Sequence, residues 1–319
     1  MATERPDPIQ IFDRRLVRQR RDRAIAATPG PGFAAADFLI REAADRLVDR
    51  LADIRRDFDV ALDLGCHDGA VARALAAGAP DRIGHLVGAD MSPAMAAAAR
   101  RTGGGAWVAA DEEALPFADA SLDLVLSVFS LHWVNDLPGA LLQVRRALRP
   151  DGLFLAVLPG GATLHELRGV LLAAEAATAG GAAPRVSPFV GLADAAGLLQ
   201  RAGFALPVAD TETVTVTYDN PLKLFAELRA MGEASALVER SRRPLRRDTL
   251  LAAAERYRAA HAGPDGRIPA TVELIFLAGW APAASQPQPL RRGSATTRLA
   301  DALGADELSS GDSTPPGRD

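Results

Sequence analysis

The feature that most constrains the fold is the alternation of short apolar runs with helical stretches through the first half of the chain. Val60 to Leu64, His85 to Ala89, Ala106 to Ala110, Leu122 to Phe129 and Leu153 to Leu158 read as strands. Ala70 to Ala77, Pro93 to Arg101 and Leu137 to Leu148 read as helices among them. Strands joined by helical crossovers run in the same direction, so this order predicts a mainly parallel sheet with helices on both faces. Local chemistry agrees. Ser92 precedes Pro93 as a helix cap does, Asp136 stands where the next helix starts, and Pro150-Asp151-Gly152 predicts a turn in which Gly152 takes the positive φ.

The flanks extend the pattern. Phe38 to Asp57 spaces its apolar residues as a helix does and leads into the first strand. Beyond the core come helices over Thr163 to Ala179, Asp194 to Ala202, Leu222 to Met231 and Thr249 to Ala262, and strands over Thr211 to Tyr218 and Val272 to Ala278. The expected fold is therefore α/β, a doubly wound, mainly parallel seven-stranded sheet with helical N-terminal and late insertions. The late strands close it as an antiparallel pair.

Composition narrows the function classes. A net charge of -4 gives no global pull toward nucleic acid or an anionic membrane. The single cysteine, Cys66, excludes an intramolecular disulfide, and the basic run Arg14 to Arg23 is too polar for the apolar core of a signal peptide. No stretch is apolar enough to span a bilayer. The expected location is the cytoplasm. Arg14 to Arg23 and Arg242 to Arg247 have no interleaved aromatic residues for base stacking, so they read as solvated helix faces and no nucleic-acid partner is expected.

The residues that point to chemistry lie at strand ends. Leu62 to Gly69, with Asp63, Gly65 and Gly69, forms a glycine-containing turn at which backbone can approach a ligand, although such a turn also joins strand to helix in proteins that bind nothing. Asp90 ends the second strand, where a carboxylate can accept both ribose hydroxyls or merely cap the following helix. Asp111 and Glu112 follow the third strand, as adenine-side acceptors or a solvated loop. His132, next to Trp133, lies past the fourth strand and is a candidate for substrate contact or for packing. His67 reads as a solvated or capping side chain and Cys66 as a small turn residue. The turn lacks the three glycines of a dinucleotide site, which disfavours a nicotinamide enzyme.

In this order these residues resemble the class I S-adenosylmethionine (SAM)-dependent methyltransferases, a Rossmann-like fold. The resemblance is stronger to the subgroup of mitochondrial complex I assembly factors described as arginine hydroxylases. It runs nearly end to end, through Ile11 to Arg14, Ala110 to Glu113, Leu131 to Pro138, Leu148 to Gly152, Thr163 to Arg168, Ser187 to Phe189, Arg201 to Phe204, Met231 to Glu233 and Arg292 to Thr296. It implies SAM as cofactor, with Asp63, Gly65 and Gly69 at its methionine part, Asp90 and Met91 at ribose, Asp111 and Glu112 by adenine, and Ser130 facing the sulfonium. His67 stands where the family has a second glycine.

The resemblance divides the chain into a basic segment and helix covering the cleft (1–57), a SAM-binding core (58–160), substrate-side helices with closing strands (161–280) and a mostly disordered tail (281–319). It implies action on an arginine of a respiratory complex I subunit, by hydroxylation, with access to the inner face of the respiratory membrane. Glu166 and Glu175 are the carboxylates expected to hold that guanidinium, and with His132 they are the candidate catalytic residues; surface ion pairing is their alternative role. The chain is also similar to the malonyl-acyl-carrier-protein O-methyltransferases of biotin synthesis, which would make acyl-carrier protein the partner. A non-catalytic assembly chaperone is the third reading. No two-histidine, one-carboxylate set stands out, and no metal is expected.

Overall fold

Each strand of the core is apolar on both sides because helices cover both faces of the sheet. The computed structural model describes residues 10–26, 32–102, 105–287, 294 and 296–306. The chain enters through α1 (Arg14–Ala26), α2 (Phe33–Ala36) and α3 (Phe38–Ala52) and then forms β1 (Phe58–Leu64). One half of the sheet follows, with α4 (Ala70–Gly78), β2 (Ile83–Asp90), α5 (Pro93–Ala99) and β3 (Ala106–Ala109). The chain returns to the other half through β4 (Leu122–Val128), α6 (Leu137–Ala147) and β5 (Leu148–Pro159). Helices α7 (His165–Ala179) and α8 (Leu192–Arg201), β6 (Ala205–Tyr218), α9 (Pro221–Ala230), α10 (Arg247–His261) and β7 (Ile268–Trp280) complete this unit.

The seven strands lie in the order β3-β2-β1-β4-β5-β7-β6. β1 is parallel to β2 and to β4, with Leu62 opposite Val87 on one side and Val125 on the other. β7 runs antiparallel to both of its neighbours, β5 and β6. The strand period of two sends alternate residues to opposite faces. Leu124, Leu126 and Val128 of β4 pack with Leu47 and Leu51 of α3 and Val71 of α4. Val125 joins Leu62, Leu64, Leu141 and Val144 on the other face. Each buried leucine of this kind stabilises the fold by roughly 1.5–3 kcal/mol.

Ser92 Oγ accepts the Met95 amide at 3.1 Å and Asp136 Oδ1 accepts that of Gly139 at 2.9 Å, so both expected caps form. Three details differ from expectation. The helix from Phe38 ends at Ala52, before Asp57, because the Arg82 guanidinium donates to the carbonyls of Ile54 and Arg56 and takes those acceptors from a continuing helix. Pro150-Asp151-Gly152 lies inside β5 and the positive φ of 65° falls on Asp151. Gly152 serves a close approach instead, since a Cβ there would lie 2.9 Å from the Arg149 carbonyl oxygen. In the terminal unit, 284–319, the described residues include the short helix α11 (Leu299–Leu303) where disorder was expected. Arg292, Gly293 and Ala295 lie outside the described residues.

The strand order puts a switch point between β1 and β4, where the chain turns from building one half of the sheet to building the other. Gly65 follows β1 with φ 77°, and a Cβ on it would lie 2.1 Å from Ser130 Cβ. Gly65→Ala is therefore expected to cost about 1–3 kcal/mol through overpacking and backbone strain. A thermal melt checks this, with a midpoint several degrees below wild type as the expected result.

Candidate active site

The crevice at the carboxyl ends of β1, β2, β3 and β4 gathers the acids. Asp63, Asp90 and Glu112 are each fully buried. Asp90 accepts the Ser92 amide at 2.7 Å and the His67 amide at 3.1 Å. Burying carboxylates without compensation is expensive, so the source of positive charge decides the geometry. It comes from α1. Arg21, also fully buried, places Nη1 3.2 Å from both Asp90 oxygens and 3.5 Å from Glu112, and donates from Nη2 to Ser130 Oγ at 3.2 Å. Arg14 donates to Asp111 at 2.6 Å and to Glu112. Burial alone would raise the Glu112 pKa, but Arg14 and Arg21 outweigh it and hold the carboxyl at about 2.

The run Arg14 to Arg23 is thus not a solvated helix face along its whole length. Arg14, Val17, Arg21 and Ala24 share one helical stripe, and Val17, Arg21 and Ala24 are buried, so the spacing of three and four residues was the available signal. The preceding segment is latched by Asn135, whose Oδ1 accepts the amides of Ile11 (2.8 Å) and Phe12 (2.7 Å). Phe12, Val17, Met91 and Trp133 pack as a small apolar cluster beside the crevice.

His67 is not solvated either. It is buried, stacks on Phe33 with ring centroids 6.1 Å apart, and its Nε2 lies 3.0 Å from the Val128 carbonyl, tying the turn after β1 to the end of β4. Burial, with the charge of Arg21, lowers its pKa and favours the neutral ring. Asp63 is the exception among the crevice acids. Both of its oxygens lack a hydrogen-bond partner among the described residues, and burial, together with Asp90, pushes its pKa up to about 8.

Beside the crevice lies a cavity of about 590 Å³ walled by residues of α7, α9, β6 and β7, with Leu164, Leu167, Leu171, Val216, Leu224 and Phe225 among them. His132 and Trp133 line it next to Glu233. Glu233 Oε2 lies 2.9 Å from His132 Nε2 and 2.9 Å from Trp133 Nε1. Burial alone would raise the Glu233 pKa; His132 and Arg21 outweigh it and lower it, so the group stays ionised.

The other expected carboxylates lie elsewhere. Glu166 accepts the amide and the hydroxyl of Thr271, while Glu175 accepts Arg185 at 2.5 Å and the Ala183 amide at 2.9 Å. Neither lines the cavity. Their charges are engaged by the chain itself. The structure brings Asp63, Gly65, Asp90, Glu112 and Ser130 together, with Gly69 at the start of α4, Met91 in the apolar cluster and Asp111 on Arg14 at the rim. Glu233, which lies in the resemblance block Met231 to Glu233 but was given no site role there, joins His132.

A model of the methyltransferase domain matches residues 62–156. The mitochondrial arginine-hydroxylase NDUFAF5 of Danio rerio is 39% identical over 92% of this chain and 89% of its own length. The malonyl-[acyl-carrier protein] O-methyltransferase of Halorhodospira halophila is 36% identical over 86% of this chain and 90% of its own. Among solved structures, the YcgJ protein of a Bacillus superposes with a TM-score of 0.54 at 16% identity, covering 76% of this chain and 100% of that one. The strand order and the switch-point crevice are those of the class I fold, and the chain is an enzyme of the SAM-dependent methyltransferase family. Within it, the chain belongs to the family of the NDUFAF5 arginine hydroxylases.

Asp63 makes a pH prediction. Its folded pKa of about 8 lies above that of an unfolded aspartate, so the folded state binds the extra proton and stability from this group is lost as pH rises through the folded pKa. Asp63→Asn removes that loss. Melting temperatures across pH should show the variant gaining on wild type from the ordinary carboxylate range up to about pH 8.

Proposed function

We propose that the chain binds SAM in the crevice and modifies an arginine side chain of a respiratory complex I subunit during assembly of the complex. The observation that carries this reading is 39% identity to an arginine hydroxylase over 92% of the chain. The crevice fits the cofactor's charge. Asp63 is a buried carboxyl without a partner, as an ammonium site requires, and the acids there outnumber Arg14 and Arg21.

In this reading Asp63, Gly65 and Gly69 hold the methionine end, Asp90 and Met91 the ribose, Asp111 and Glu112 the adenine side, and Ser130 lies by the sulfonium. The bound cofactor supplies a methyl group activated by positively charged sulfur. Asp90 and Glu112 engage Arg21, so this side chain must release Asp90 before a ribose can take it. α1 thereby competes with the cofactor for the same acceptors.

Among the described residues no helix is long and apolar enough to cross a membrane. The proposed place of action is the cytoplasm, at the inner face of the respiratory membrane, or the matrix where the chain is mitochondrial. Ester methylation of an acyl-carrier-protein substrate is the second reading, favoured by 36% identity to an O-methyltransferase of that carrier protein and by Arg229 along the apolar cavity, which offers charge for a carboxylate.

Two measurements test the proposal. Calorimetry with SAM should detect binding that Asp90→Ala weakens, with loss of charge-assisted hydrogen bonds worth about 1.5–3 kcal/mol. Mass spectrometry of complex I subunits from cells with and without the gene should find an oxygen added to one arginine only when the gene is present, the oxygen coming from molecular oxygen whose second atom leaves as water with two electrons and two protons from a cellular reductant. A methyl ester on acyl-carrier protein would favour the second reading. Failed assembly with no mass change would replace the enzyme with a chaperone.

A further inference from the structure

Two residues that line the cavity carry buried polar atoms without a hydrogen-bond partner among the described residues. Glu233 Oε2 receives Trp133 Nε1 and His132 Nε2, while Glu233 Oε1 and His132 Nδ1 have no hydrogen-bond partner among the described residues. The His132 side chain is only 4% exposed. A carboxylate oxygen only accepts, so the His132 nitrogen 2.9 Å from it donates to it, as Trp133 Nε1 does. Glu233 Oε1 is therefore the carboxylate oxygen left without a donor. Unsatisfied buried acceptors call for a ligand that brings donors.

The surroundings define that ligand further. Among the described residues, Glu233 is the only acid that lines the cavity. The rings of Trp133, Phe189 and Phe129 lie 5.0, 6.1 and 6.3 Å from the His132 ring, so the carboxylate sits among flat aromatic surfaces. A planar cation with several N–H donors in one plane can bond this acceptor and stack on the rings, which a tetrahedral ammonium does less well. The apolar wall of Leu164, Leu167 and Leu171 suits the methylene stem behind such a head.

We infer that Glu233, among the rings of His132, Trp133 and Phe189, forms a guanidinium seat in this cavity, selecting an arginine side chain through Glu233 Oε1. This deepens the arginine reading and rests on it for the identity of the substrate protein. It assigns recognition to Glu233 in place of Glu166 and Glu175, whose oxygens already have partners on this chain. Glu233 also adjoins the crevice, where Arg21 contributes to its field. The seat therefore lies next to the cofactor residues.

The test uses the full-length protein and three small probes, N-acetyl-arginine methylamide, its neutral citrulline isostere and the lysine analogue, with binding followed by NMR titration. The arginine probe should bind wild type at least about tenfold more tightly than either of the others, as the combination of a charge-assisted hydrogen bond with stacking of the planar cation implies. Glu233→Gln should abolish that preference while Glu175→Gln keeps it. Equal binding of the arginine and citrulline probes to wild type overturns the seat, and this comparison needs no variant to fold. Retained preference in a folded Glu233→Gln protein overturns it as well. The two proposals separate in cells: gene-dependent modification that persists in Glu233→Gln removes the seat and leaves the function. Intact probe selectivity without any modified complex I arginine removes the function and leaves the seat.

Discussion

The constraint on which this structure depends is the burial of carboxylates at the carboxyl ends of β1, β2 and β3. Charged groups are strongly disfavoured in a dry interior unless each finds an opposite charge or takes up a proton. Asp90 and Glu112 find Arg21, and Glu112 finds Arg14 as well. Asp63 finds neither and is held toward its protonated form. Because both arginines lie on α1, the electrostatics of the crevice attach the N-terminal helix to the sheet. The Asn135 latch and the packing of Phe12 and Val17 then follow the same docking.

The same arrangement separates two chemical environments that meet at Glu233. One is the crevice, rich in carboxylates and closed by guanidinium groups. The other is the cavity, walled by leucine, valine and phenylalanine. The antiparallel β7 supports this second environment, since it sits between β5 and β6 and its residues Ala270 and Val272 form part of the wall. Relatives named for arginine hydroxylation and for O-methylation match most of the chain, so the fold alone does not select the reaction. That selection rests on which side chains stand in the cavity.

Most of the fold was legible because its signals are local. The two-residue period of β4, the caps at Ser92 and Asp136, and the glycine turn after β1 each depend on neighbours a few positions away. The crevice acids were legible for a related reason, since residues that follow parallel strands gather at one edge of the sheet. The sites that differed were those governed by distant partners. Arg21 looks like one of many surface arginines until α1 is docked. His67 looks solvated until the end of β4 arrives beside it, and Glu166 looks available until Thr271 takes its oxygens.

The sequence by itself determined the alternating α/β order, the strand ends that carry Asp63, Asp90 and Glu112, and the membership of a methyltransferase-like family. Only the tertiary structure decided which groups pair with one another: Arg21 with Asp90, Arg185 with Glu175, and Glu233 through hydrogen bonds with His132 and Trp133 rather than with a surface cation. The physical reason is one of range. Strand and helix periods are set by steric and hydrogen-bonding rules within a few residues. A buried ion pair depends on two groups being desolvated together, which follows from how separate elements pack.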